Sequence, residues 1–240
     1  MHALEYFQRI YVINLQHRSD RRREMAAQLN AIGLTFDAPN VQLVEAVRPK
    51  DSGGFPSIGT RGCFLSHLGV LRDAQKNKLD RILLFEDDLN FVSDFTVQMK
   101  PVTKALTQRD WSIFYGSYSM RASPQPEGDE KVVWAEPSDP IQTAHFIGFR
   151  GEAINEIVDF LESVLSRPPG DARGGPMHVD GAYGWYRYEH PSKTTLLAVP
   201  QLGYQRSSRT DIHALRWFDR APGIRQTMGL LRRVMNETRQ

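Results

Sequence analysis

The run Arg81-Ile82-Leu83-Leu84-Phe85 is the strongest constraint on how this chain folds. A short, unbroken apolar stretch with polar flanks reads as a strand buried on both faces. It ends in Glu86-Asp87-Asp88. Three adjacent carboxylates at the end of a buried strand repel one another and resist desolvation. A hard cation such as Mg²⁺ or Mn²⁺ offsets that charge, because it prefers carboxylate oxygen and is often shared with substrate phosphates. Strand side chains alternate, so Glu86 and Asp88 are expected on one face and Asp87 on the other. The tripeptide alone fits an acidic turn as well as a metal anchor.

Strands and helices alternate around this run. Ile10-Tyr11-Val12-Ile13 reads as a first strand, and Ser19 or Asp20 caps a helix to about Asn30, ended by Gly33. Val41–Val47 is a second strand. Residues 48–60, with two prolines and three glycines, read as a loop, followed by a helix from about Gly62 to Lys78. After the acidic strand come a helix near Phe91–Leu106, a strand Trp111–Tyr115, and a loop Ser119–Pro140 interrupted by Val132-Val133-Trp134. Thr143–Phe149 is a strand, Glu152–Leu165 an amphipathic helix, Arg167–Gly175 a loop and Thr194–Val199 a last strand. This order predicts an α/β protein with a mostly parallel central sheet flanked by helices. Ligands then bind at the carboxyl ends of the strands. The expected layout is one domain over residues 1–221 and a basic amphipathic helix over 222–240. In that helix Ile224, Met228, Leu231 and Met235 form a stripe beside Arg225, Arg232 and Arg233. Such a helix packs on the domain or makes a peripheral contact with an anionic membrane.

Thirty basic residues against 28 acidic leave a net charge of +2, which supports no general affinity for nucleic-acid polymers. A single cysteine, Cys63, forms no intrachain disulfide and fits a reducing cytoplasm. The first residues lack the pattern of a signal peptide, and no apolar run spans a bilayer.

Four further segments carry candidate chemistry. Asn14 ends the first strand, and Arg18 and Arg21 crowd a helix N-terminus, where an anion such as a nucleotide diphosphate offsets their charge. Gly59–His67 places Ser66 and His67 at the start of a helix, within hydrogen-bonding range of a ligand. His67 alone reads as a satisfied histidine, and Cys63 as a small buried hydrophobe rather than a nucleophile. His178-Val179-Asp180-Gly181 offers a carboxylate beside a Pro/Gly loop, either a turn residue or a general base. Pro200–Asp211 is a donor-rich loop whose arginines suit phosphate.

Taken in order, Val12-Ile13-Asn14-Leu15 with Asp20-Arg21, Gly62-Cys63 with Ser66-His67-Leu68, Leu84–Asp88, Val179-Asp180, and Gln205–Ser208 with Asp211 resemble glycosyltransferase family 25. That group contains lipopolysaccharide and collagen galactosyltransferases. The resemblance implies a GT-A-type fold and metal-dependent, inverting transfer of a hexose, most often galactose, from a UDP-sugar to a saccharide acceptor. It places Glu86, Asp87 and Asp88 at the metal, Mn²⁺ or Mg²⁺. Within that reading Asn14, Arg18, Arg21, Ser66, His67, Gln205 and Ser207 are the expected donor-binding residues, and Asp180, which follows the Pro/Gly loop late in the chain, or secondly Asp211, is the expected base. Two departures bear on which sugar fits. Thr60 and Arg61 stand where the family often has an acidic residue, and Ala144-His145-Phe146-Ile147-Gly148 replaces an Ala-Tyr-Leu-Ile-Ser-like strand. The competing readings are a metal-dependent phosphohydrolase and a non-catalytic nucleotide-sugar-binding protein on the same fold.

Overall fold

The structure is a computed structural model that describes residues 3–122 and 124–206. After a 3-10 turn at Ala3–Tyr6, the elements are β1 (Arg9–Asn14), α1 (Ser19–Ala31), β2 (Val41–Glu45), α2 (Ile58–Lys76), β3 (Arg81–Glu86), β4 (Leu89–Phe91) and α3 (Phe95–Gln108). They continue as β5 (Ile113–Ser119), β6 (Val132–Ala135), β7 (Gln142–Arg150), α4 (Ala153–Ser166), α5 (Val179–Glu189), β8 (Thr195–Ala198) and β9 (Gly203–Gln205). Seven strands form one sheet in the order β2-β1-β3-β7-β5-β8-β6, and β4 pairs with β9 in a separate ribbon.

The sheet is mixed, not mostly parallel. β1–β2, β1–β3 and β5–β8 are parallel, while β3–β7, β5–β7 and β6–β8 are antiparallel. Among the described residues no helix lies between β5 and β7. The chain therefore returns beside β5 in the opposite direction, because a parallel return needs a long crossover, usually helical.

Alternation along the strands sorts two cores. Tyr11, Ile13, Ile82 and Leu84 point to the face covered by α2, α4 and α5, where Phe64, Leu68, Leu161 and Tyr186 are buried. Ile10, Val12, Leu83 and Phe85 point to the face covered by α1 and α3, with Met25, Leu29, Phe95 and Met99. Phe146 anchors this second core, in edge contact with Phe85 at 4.8 Å and Phe114 at 6.3 Å. Gly116 makes room for it, since a Cβ there would sit 2.5 Å from the Phe146 ring. Each fully buried aromatic of this kind contributes about 1.5–3 kcal/mol by burial.

Of the boundaries that differ from the sequence expectation, three have a plain physical cause. α2 begins inside the expected loop because Ser57 caps it, accepting from Thr60 N–H at 3.0 Å. That cap overrides the weak propensity of Gly59 and Gly62. The helix expected from Phe91 starts at Phe95, and Phe91 instead pairs with Gly203 in the β4–β9 ribbon. α5 occupies a stretch read as loop and turn, where Gly181 and Gly184 dilute the helical signal.

Candidate active site

A cleft of ≈ 270 Å³ opens at the carboxyl ends of β1, β2 and β3. Ile13 and Leu15 form one wall, Ala46–Pro49 a second, and the first turns of α2 a third. Glu86 and Asp87 reach it from the acidic turn.

The three carboxylates divide. β3 stops at Glu86, and Asp87 and Asp88 form a turn. Glu86 keeps the strand alternation and faces α2, where it meets His67 Nε2 at 3.0 Å and Cys63 Sγ at 3.6 Å. Asp87 faces α1, accepting from Asn14 Nδ2 at 2.7 Å and Arg21 Nη1 at 2.9 Å. Asp88 does not simply follow the pleat onto the Glu86 face. Its Oδ2 lies 3.4 Å from the same Arg21 nitrogen and accepts from Gln205 Nε2 at 3.3 Å. The turn breaks the alternation, so one buried guanidinium serves both aspartates. The Glu86 charge still reaches Asp88. Burial first, and then Glu86, push the Asp88 carboxyl up to about 7 against the opposing pull of Arg21. Burial raises Asp87 as well, with Arg21 and Asn14 opposing. Burial works most strongly against ionised Glu86, but the hydrogen bond and charge of His67, the His145 charge and the Cys63 hydrogen bond together outweigh it, and its carboxyl lies below the ordinary value.

The Gly-Cys-x-x-Ser-His segment separates into two jobs at helical spacing. Gly62 and Ser66 hold the cleft wall: Ser66 Oγ donates to Gly62 O at 2.7 Å and accepts from Val47 N–H at 2.8 Å. A Cβ on Gly62 would lie 2.7 Å from the Val47 carbonyl, so only glycine allows this approach. Cys63 and His67, one turn apart, face Glu86. An ionised Glu86 only accepts, so His67 donates through Nε2–H, and its Nδ1 accepts from the Tyr183 hydroxyl at 3.1 Å. Cys63, His67 and Glu86 bring their ligand atoms within 4.8 Å of one another, a donor set able to hold a divalent cation. Burial, and then the Glu86 charge, push the Cys63 thiol well up, so it is no nucleophile.

The remaining candidates are placed as follows. Arg18 turns onto Asp20, with contacts of 3.0 and 2.8 Å. Asp180 stands in the first turn of α5, half-buried, accepting from Thr143 N–H at 3.0 Å and Gly181 N–H at 2.8 Å. Its charge reaches Cys63 across the sheet face. Gln205 joins the acidic turn through Asp88. Arg206 clamps that turn, contacting the Asp87 carbonyl, Asn90 Oδ1 and Glu24 at 2.9 Å each. Ser207, Asp211 and the helix expected over 222–240 lie outside the described residues.

Sequence reasoning did not single out His17 and Arg48, which line the cleft, nor Tyr183. His145 was singled out only as a departure from the family strand. It sits on β7 one step beyond the Phe85–Phe146 pair, opposite Glu86. Its Nε2 meets Ser117 Oγ at 2.9 Å, and its buried Nδ1 has no hydrogen-bond partner among the described residues. Burial pushes its imidazole down to about 4.

An α/β sheet with a cleft and a carboxylate turn at its strand ends has the makings of a ligand site of phosphate-handling type. Comparison with known proteins is more specific: residues 7–133, just over half of the chain, match glycosyltransferase family 25 (LPS biosynthesis protein), and the chain belongs to that family. It is 29% identical over 127 residues to the human inactive glycosyltransferase 25 family member 3, covering 45% of this chain and 21% of that protein. Mouse procollagen galactosyltransferase 2 is 28% identical over 141 residues, covering 50% and 22%. Zebrafish (Danio rerio) procollagen galactosyltransferase 1 is 30% identical over 145 residues, covering 53% and 24%. The matched region thus spans about a fifth to a quarter of these relatives' length. Among solved structures, a glycosyltransferase involved in the glycosylation of the major capsid of PBCV-1 aligns with a TM-score of 0.35 at 14% identity, over 80% of this chain and 92% of that one.

Proposed function

We propose that this chain is a GT-A-type inverting hexosyltransferase that moves a sugar, galactose by likeness to the procollagen galactosyltransferases, from a UDP-sugar to a saccharide acceptor. One observation carries the reading. Asp88 holds a buried carboxylate oxygen, Oδ1, without a hydrogen-bond partner among the described residues, in a turn where burial, and then Glu86, raise its pKa. An oxygen so placed is what a hard cation needs, and Mg²⁺ or Mn²⁺ typically takes only one or two carboxylates, completing its shell with water and phosphate. Asp88 is the assigned ligand; Arg21, bonded to both aspartates, fixes its direction. Glu86, turned to His67, does not join it directly. The cation, when bound, supplies charge neutralisation at the leaving diphosphate.

The chain's own groups do the rest. Asn14 and Arg21 hold the turn rigid, so no reorganisation is needed as charge develops. Arg48, exposed on the cleft wall, offers its guanidinium to a diphosphate; Arg18 is directed to Asp20 instead. Asp180 takes the acceptor hydroxyl's proton as that oxygen attacks the anomeric carbon and the diphosphate leaves. Such general-base help contributes roughly 10²–10⁴-fold.

A panel of nucleotide sugars with saccharide acceptors and Mn²⁺, scored for nucleotide release and glycoside product, tests the reading. Saturable, acceptor-dependent release from one donor is expected, with transfer abolished and donor binding kept in Asp180→Asn. Free sugar or phosphate without glycoside would favour a phosphohydrolase. Binding without turnover would favour a non-catalytic role, which the similarity to a relative described as inactive keeps in view.

A further inference from the structure

We propose that Cys63, His67 and Glu86 form a second cation site, selective for a thiophilic divalent ion of the zinc class and separate from the oxygen site at Asp88. The site holds whether or not the chain transfers a sugar, because it rests on its own geometry. Cys63 Sγ and Glu86 Oε1 are 3.6 Å apart, and His67 Nε2 and Glu86 Oε1 are 3.0 Å apart. Tetrahedral zinc with ordinary Zn–S, Zn–N and Zn–O bonds separates such atoms by about 3.5 Å and about 3.3 Å. Both pairs on Glu86 thus stand within a few tenths of an ångström of those separations, and Cys63 Sγ and His67 Nε2, within 4.8 Å of each other, close toward about 3.5 Å as the ion enters.

The chemistry of the set is soft. Sulfur and imidazole favour zinc over magnesium or manganese, which the bare oxygen of Asp88 suits better. Cys63 and His67 lie one turn apart on α2, a rigid element that fixes both ligands from one helix face. Tyr183 supplies the outer partner that metal-bound histidines normally have. In the metal-free protein its hydroxyl donates to His67 Nδ1. With Nε2 given to the ion, the ring proton moves to Nδ1 and the Tyr183 oxygen accepts it. The ion replaces the Cys63 thiol proton, which leaves to solvent, so one proton is released per ion bound. Thiolate, carboxylate and a divalent ion then sum to zero charge, the assembly that burial disfavours least. All three residues line the cleft, so a fourth coordination position faces it.

Titrating metal-free, full-length protein with Co²⁺, a spectroscopic stand-in for zinc, tests the site. One equivalent is expected to produce tetrahedral cobalt absorption and a thiolate-to-cobalt charge-transfer band, both removed by Zn²⁺ and neither by Mg²⁺. Cys63→Ser should lose the charge-transfer band while its circular dichroism and melting temperature match the unsubstituted protein. Tyr183→Phe should keep the band and weaken Co²⁺ roughly 10–100-fold, as loss of an outer partner does. Absence of the band in the unsubstituted protein, or its persistence in Cys63→Ser, overturns the proposal. Nucleotide release with Mn²⁺, measured on the same preparations, reads the transfer reaction separately.

Discussion

Glu86 and Asp88 stand two residues apart in the chain, yet the fold gives them different company. Glu86 ends a strand and meets an imidazole and a thiol on one face of the sheet. Asp88, one turn onward, shares a guanidinium with Asp87 and keeps one oxygen unpartnered among the described residues. Glu86 has its carboxyl held below the ordinary value, against its burial, by the imidazole it meets. Asp88 is left partly uncompensated beside a cation already divided between two carboxylates. A run of like charges is therefore not one site by virtue of being contiguous. Where the strand ends decides which carboxylate joins which chemistry.

The largest expected effect removes the shared cation. Arg21→Ala leaves two buried aspartates unpaired and should cost about 3–5 kcal/mol in urea unfolding. A cost under about 1 kcal/mol would show that the aspartates are not held by Arg21 at all.

A second test uses pH in the presence of a chelator. Asp88 has a folded pKa raised above its unfolded value. Its contribution to stability is fully present below about 4 and is lost as pH rises toward about 7. His145 has a depressed folded pKa. Its contribution is fully present above about 6.5 and is lost as pH falls toward about 4. The two slopes oppose each other over the same window, worth about 4 kcal/mol for Asp88 and about 3 kcal/mol for His145. Asp88→Asn should therefore make stability rise more steeply with pH between 4 and 7, and His145→Gln should tilt it the other way. Parallel curves for both variants and the unsubstituted protein would remove the electrostatic difference between the two regions. The smallest effect is on the Glu86 side: Tyr183→Phe, losing one hydrogen bond to His67, should cost about 1 kcal/mol in thermal melts. A larger cost would mean that His67 depends on Tyr183 for more than orientation.

Much of the first half of the molecule was legible because its signals are local. The apolar run of β3, the β-branched start of β1 and the Gly-Cys-x-x-Ser-His spacing each declare themselves within a few residues. Asn14, Arg21 and Gln205 all contact the acidic turn. Other features rest on distant contacts. β7 entering antiparallel between β3 and β5 depends on strand pairing that no local pattern encodes. The 58–61 turn of α2 looked like loop because two glycines outvoted a single serine cap. Ser66 looked like a ligand contact, and its hydroxyl proves to tie Gly62 to Val47. Cys63 looked apolar because nothing nearby in sequence announces Glu86, although its four-residue spacing to His67 was a visible clue.

The most direct test compares Asp88→Asn with Glu86→Gln by calorimetric titration of a UDP-sugar, with Mn²⁺ and with a chelator. Asp88→Asn should lose the Mn²⁺-dependent gain in donor affinity, and Glu86→Gln should retain it. Loss of that gain in Glu86→Gln with its survival in Asp88→Asn would place the cation on the other arm of the turn and contradict the division of the acidic triplet.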